Sequence, residues 1–106
     1  MALIRIDPRL SIDESEITES FIQASGPGGQ NVNKVATAVE LRFDVARSPS
    51  LPEGVRRRLM ALAGRRLTQE GVLVLFARQY RTQERNRADA LARLIDLIDI
   101  ARLAHP

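Results

Sequence analysis

Cysteine is absent from the sequence, and histidine occurs only once, at His105 near the C-terminal end. Without cysteine the chain can form neither a disulfide nor a thiolate zinc site, and its composition suits a reducing compartment. A nucleophilic triad needs a base beside a serine or cysteine, and histidine-based metal sites need several histidines. Both kinds of site are therefore disfavoured.

Long apolar runs are also missing, because no stretch approaches the roughly 20 residues that span a bilayer. The first residues, from Met1 to Arg5, become charged too early for a signal peptide. At 106 residues, the chain is long enough for one packed domain. We predict a single soluble, cytoplasmic domain that spans residues 1–106 and binds no membrane.

Positive charge is concentrated in the second half of the sequence. Residues 1–52 carry five basic and seven acidic side chains (net −2), and residues 53–106 carry eleven and six (net +5), which gives the +3 of the whole chain. The arginines cluster at 56–58, 65–66 and 78–87. Because guanidinium groups donate bidentately to phosphate, these clusters predict a surface for structured RNA, although a solvated helix face is the better interpretation of any single cluster.

Four segments have strand-like patterns. Residues 39–45 alternate apolar and polar side chains, which is typical of a half-buried strand. Residues 72–77 form a continuous apolar run, which favours a central strand covered on both faces. Shorter strands are predicted at 3–6, ended by Asp7-Pro8, and between Glu16 and Ala24.

Two helices are predicted in the second half. Ser50-Leu51-Pro52-Glu53 has the spacing of a capping box with proline in the first turn, and Gly71 is the expected terminator of that helix. Apolar residues recur at helical spacing from Gln83 to about Leu103, with Thr82 as the N-cap. The expected fold class is α+β, a small, mostly antiparallel sheet with two helices packed on one face.

The segment Ser25–Lys34 has three glycines and a proline in its first five residues, followed by amides and one lysine. It lies between two predicted strands, so its ends should be anchored on one sheet. It is not a Walker phosphate loop, because Lys34 follows Asn33 and precedes Val35, and a strand rather than a dinucleotide-binding helix follows it. Spacing alone therefore favours an ordinary flexible turn.

The residues Gly28-Gly29-Gln30, within Ser25–Lys34 and the continuation 35–44, resemble the catalytic domain of the class I peptide chain release factors. No codon-reading domain is present, and the chain is more similar to the stand-alone bacterial peptidyl-tRNA hydrolases of the ArfB type, which rescue stalled ribosomes. The further segments that carry this similarity are 51–52, 71–74 and 81–87. The resemblance covers essentially the entire chain, most strongly from about Ile17.

This resemblance implies a GGQ-domain fold and hydrolysis of the ester that joins a nascent peptide to the 3′ ribose of tRNA. The implied partners are the 70S ribosome, its large-subunit rRNA and the P-site peptidyl-tRNA. The RNAs would supply the rest of the active site, so no cofactor is expected. The protein is expected to be a monomer. Gly28 and Gly29 would shape the loop, and Gln30 would donate its backbone N–H and place the attacking water. The implied RNA-binding residues are Asn31, Asn33, Lys34, Arg81, Arg85 and Arg87.

Hydrolases of the ArfB type continue past this domain with a basic tail, whereas this sequence stops at His105-Pro106. Either the sequence is a piece of a longer protein or it belongs to a tailless relative, and we expect weaker binding to stalled ribosomes if the tail is truly missing. Two alternatives stay open. One is a noncatalytic ribosome-binding or assembly module, which would have no evident need for Gly28-Gly29-Gln30. The other is a domain cut from a codon-specific release factor, which a first strand close to Met1 disfavours.

Overall fold

Residues 2–23 and 36–103 are described by the computed structural model of this protein. This part of the chain contains two antiparallel sheets and two long α-helices, so the predicted α+β class is confirmed. The elements are β1 (Leu3–Asp7), β2 (Leu10–Asp13), β3 (Ile17–Ile22), β4 (Ala38–Asp44), α1 (Glu53–Ala63), β5 (Val72–Ala77) and α2 (Gln83–Leu103). Strands β1 and β2 form a hairpin, and the second sheet has the order β3-β4-β5.

The core lies between the three-stranded sheet and the helices. On β4, Val39, Leu41 and Phe43 are fully buried while the residues between them are half-buried, which confirms the predicted alternation. Helix α2 packs on β4 and β5, and α1 packs on α2. The buried residues of α2 are Asn86, Ala90, Leu94, Ile98 and Ala101. These positions recur at helical spacing, so one stripe of α2 faces the core.

Strand β5 differs from its prediction, because it lies at the edge of its sheet and not at the centre. Its buried residues alternate with half-buried or exposed ones, and Phe76 is 53% exposed. The exposed edge is partly covered, since Leu67 pairs with Leu73 and the Arg93 guanidinium donates to the Phe76 carbonyl. The prediction was wrong because outward-facing apolar residues made an edge strand look like a buried one.

The termini of α1 also differ from their prediction. Pro52 is the N-cap residue and no side chain caps the helix; Ser50 lies two residues before the N-cap, and its hydroxyl donates to the Glu16 carboxylate. The helix ends at Ala63, and Gly64, not Gly71, follows it with a φ of +56°. The capping box and the terminator were therefore both predicted wrongly.

The boundaries of α2 agree with the sequence. The helix spans Gln83–Leu103, and the backbone N–H of Arg85 donates to the Thr82 hydroxyl at 3.2 Å, which confirms Thr82 as a cap. Strand β1 is also confirmed, whereas β2 was not predicted because only Leu10 and Ile12 are apolar in it. Over the two described ranges, no helix has the length and apolar character needed to cross a membrane.

Candidate functional site

The predicted catalytic residues Gly28, Gly29 and Gln30 lie outside the described residues, as do Asn31, Asn33 and Lys34. The structure describes the two strands to which this segment is joined. Strand β3 pairs with β4 along its whole length, and the final pair is Ile22 with Ala38. The prediction that the segment lies between two strands of one sheet is therefore confirmed.

Asn86 is a buried polar residue close to the start of β4. It lies in the first turns of α2 and is fully buried. Its side-chain Nδ2 donates to the carbonyl of Thr37 at 2.8 Å and to the carbonyl of Tyr80 at 3.0 Å, and its Oδ1 accepts from the backbone N–H of Tyr80 at 2.9 Å. A single amide thus joins the start of α2 to the approach to β4 and to the turn that follows β5.

Gln83 makes the neighbouring contact. Its Nε2 donates to the carbonyl of Ala36 at 2.9 Å, so consecutive carbonyls, at Ala36 and Thr37, are bound by side chains from the same end of α2. We refer to Gln83 and Asn86, with the carbonyls of Ala36 and Thr37, as the amide clamp. The clamp holds Ala36 and Thr37, the two residues before β4, against the N-terminal end of α2.

The turn of residues 78–82, between β5 and α2, carries the first of the predicted RNA-binding arginines. Arg81 is exposed there. The guanidinium of Arg85 lies over the ring of Tyr80, with its carbon 4.6 Å from the ring centroid, which is cation–π geometry. Asn86 binds the N–H and the carbonyl of Tyr80, so the backbone that carries this ring is held next to the amide clamp.

Arg87 has a different environment. Its Nε donates to both carboxylate oxygens of Glu19 on β3, at 2.9 and 3.0 Å, while 59% of its side chain stays exposed. It also borders a groove of about 480 Å³ whose lining residues include Glu14, Glu19 and Glu84 as well as apolar residues. Carboxylates repel phosphate, so the surface at Arg81 and Arg85 suits RNA better than the surface at Arg87.

The arginines of α1 and of the short 3-10 turn that follows it, Gly64–Arg66, are partly structural. Arg58 donates to the carbonyl of Ala101 near the C-terminal end of α2 at 2.6 Å, and Arg66 donates to the carbonyls of Ala63 and Leu62, both at 3.1 Å. These side chains bind helix-terminal carbonyls, a favourable location for a cation. The interpretation of the arginine clusters at 56–58 and 65–66 as an RNA surface is correspondingly weaker.

Sequence reasoning missed the amide clamp, although one signal for it existed. Asn86 lies four residues before Ala90, in register with the apolar stripe of α2, and an uncharged polar residue at such a position needs buried partners. The sequence alone could not show that one of those partners is Thr37, which follows Lys34 by three residues. Within the described ranges, no group of three or more histidine, cysteine, aspartate or glutamate side chains could hold a metal ion.

The chain is similar in sequence to several known proteins. The RF-1 domain family matches residues 4–105. The peptidyl-tRNA hydrolase ArfB of Pseudomonas putida is 53% identical over 96 residues, which is 91% of this chain and 69% of that protein. The large ribosomal subunit protein mL62 of Mus musculus is 39% identical over 79 residues, or 74% of this chain and 38% of that protein. A human mitochondrial translation release factor in rescue is 48% identical over 33 residues, covering 31% of this chain and 20% of that protein.

Proposed function

The chain belongs to the RF-1 domain family, and on this premise we propose that it is a ribosome-dependent peptidyl-tRNA hydrolase that rescues stalled ribosomes without reading a codon. The observation that carries the proposal is the 53% identity to a peptidyl-tRNA hydrolase over 91% of this chain. A relative that is a ribosomal subunit protein further supports the ribosome as the partner. The bacterial relative favours action in the cytoplasm.

In this proposal, Gly28-Gly29-Gln30 is the part of the protein that reaches the reacting ester. The backbone N–H of Gln30 donates to the charge that develops in the transition state or to the leaving 3′ hydroxyl, and the Gln30 side chain places the attacking water. The protein needs no histidine or metal of its own if rRNA and tRNA provide the remaining groups. By analogy with oxyanion-hole donors, one such N–H contributes about 3 kcal/mol, or roughly a hundredfold in rate.

In this scheme, RNA is bound by Arg81, in the turn before α2, and by Arg85, in the first turn of α2. Arg81 is exposed, and Arg85 is held over the Tyr80 ring, so both guanidinium groups can face phosphate. Asn31, Asn33 and Lys34 are proposed to contact RNA beside the catalytic residues. Arg87 is proposed to contribute through the exposed part of its guanidinium, since Glu19 already occupies its Nε.

Peptide release from ribosomes that carry peptidyl-tRNA on a truncated mRNA tests the function directly. We expect Gly29→Ala to reduce release by about a hundredfold while ribosome binding is retained, because the methyl group restricts the backbone that aims the Gln30 N–H. Gln30→Ala should retain partial activity, with looser choice of nucleophile. Equal release by Gly29→Ala and the unsubstituted protein would contradict the mechanism.

The same assay separates the alternatives. A noncatalytic ribosome-binding module would bind large subunits without releasing peptide. If the chain is a domain cut from a codon-specific release factor, the longer factor would require a stop codon in the decoding site. A rescue hydrolase instead releases peptide from ribosomes whose mRNA ends before a stop codon, and this is the result that we expect.

A further inference from the structure

We propose that Gln83 and Asn86 are positioning residues for Gly28-Gly29-Gln30. They would act through the carbonyls of Ala36 and Thr37, from which the chain leads back into that segment. This inference rests on the proposed function, and it adds two residues that touch neither substrate nor rRNA in the scheme above. Their contribution would be to set where the catalytic segment starts.

The amide clamp begins where the sheet ends. The β3–β4 ladder stops at the pair Ile22 and Ala38, so Ala36 and Thr37 precede the first paired residue of β4. Their carbonyls are bound instead by Gln83 Nε2 at 2.9 Å and Asn86 Nδ2 at 2.8 Å. The clamp therefore extends the ordered approach to β4 by two residues beyond the last strand pair.

An amide is the side-chain group that this position requires. Asn86 has to donate to two carbonyls and accept from one N–H inside a fully buried site. A carboxylate would direct acceptors at carbonyl oxygens, and an aliphatic side chain would leave two carbonyls and one N–H without these partners. This requirement explains why asparagine occupies a position in the apolar stripe of α2.

The distance from the clamp to the catalytic residues is short along the chain. Gln30 precedes Ala36 by six residues, which span at most about 20 Å when extended. Fixing Ala36 therefore restricts the region that Gln30 can reach. Asn86 also binds the backbone of Tyr80, so the same side chain fixes the position of the turn that carries Arg81 relative to Thr37. A displacement of 1 Å at a reacting group can cost about a hundredfold in rate.

Gln83→Met tests the proposal, because methionine has a similar length but no donor for the Ala36 carbonyl. We expect the release rate at saturating protein to fall about tenfold on ribosomes that carry peptidyl-tRNA and truncated mRNA. The protein concentration at half-maximal rate should change less than twofold, and the melting temperature by a few degrees at most. A purely structural role would lower the melting temperature without this separate loss of maximal rate.

Matched variants make the result specific. Gln69→Met makes the same chemical change at an exposed position of the turn before β5, and it should release peptide at the unsubstituted rate. Gln83→Lys restores a donor at similar reach and should recover most of the lost rate. Asn86→Leu should lower both the melting temperature and the release rate, so Gln83→Met is the decisive variant.

The outcomes distinguish this inference from the function on which it rests. If the unsubstituted protein releases no peptide, the proposed function fails. If the unsubstituted protein is active and Gln83→Met has the same maximal rate, the positioning role is wrong and the function stands. Equal losses in Gln83→Met and Gln69→Met, or a loss confined to ribosome binding, would also overturn the positioning role.

Discussion

Gly71 shows how one residue without a side chain can join two elements. It has a φ of +86°, and a Cβ at this position would lie 2.5 Å from the Cβ of Ala46. Its carbonyl accepts from the backbone N–H groups of Val45 and Ala46, both at 3.1 Å. The chain just before β5 is thereby held against the chain just after β4, and both the dihedral angle and the close approach need glycine.

Gly71→Ala is therefore expected to be more destabilising than Gly64→Ala. Both glycines have positive φ, but a Cβ at Gly64 meets nothing within 4 Å. Gly64→Ala should lower the free energy of unfolding by about 1 kcal/mol through backbone strain, and Gly71→Ala by about 3 kcal/mol because a steric clash is added. Denaturant unfolding of the two variants measures the difference, and equal losses would show that the contact with Ala46 relaxes freely.

Individual residues also mark the limit of what the sequence can predict. Gly71 was predicted to end α1 because glycine commonly follows a helix, but Gly64 occupies that position. Both glycines fit the local pattern, and only the packing of Gly71 against Ala46 separates them. Asn86 was missed for the same reason, since its three backbone partners lie at Thr37 and Tyr80, in other parts of the fold.

Among the elements, the short 3-10 turn Glu14–Glu16 between β2 and β3 is tied to the connection between β4 and α1. The Glu16 carboxylate accepts from the hydroxyls of Ser48 and Ser50 and from the backbone N–H of Asp13. Ser48 is only 1% exposed, so its hydroxyl depends on this partner. These bonds hold the N-terminal hairpin segment onto the remainder of the core.

Glu16→Ala is expected to lower the free energy of unfolding by about 2–3 kcal/mol. The substitution leaves the buried Ser48 hydroxyl without its acceptor and removes two further hydrogen bonds. Glu14→Ala, at an exposed position of the same turn, should change the free energy by no more than about 0.5 kcal/mol. Thermal unfolding of the pair checks this, and similar melting temperatures would mean that the tie contributes little.

Over the whole molecule, periodic patterns predicted the elements but not their arrangement. The alternation in β4 and the apolar spacing of α2 were sufficient, because one face of each contacts the core. The position of β5 could not be predicted, because strand order depends on pairing with distant residues. The catalytic and RNA-binding residues came from family resemblance, and their roles stay predictions, whereas the amide clamp required coordinates.

The charge of the whole molecule gives the last prediction. If Arg81 and Arg85 contact rRNA phosphates, each should release about one counterion, so Arg81→Ala and Arg85→Ala should each reduce the slope of log affinity against log salt by about one. Arg9→Ala, in the exposed turn between β1 and β2, removes the same charge from the acidic half of the chain. Its slope should match that of the unsubstituted protein. Titration of ribosomes at several salt concentrations measures the slopes of the three variants and of the unsubstituted protein, and an equal reduction by Arg9→Ala would show that net charge, not the position of Arg81 and Arg85, governs binding.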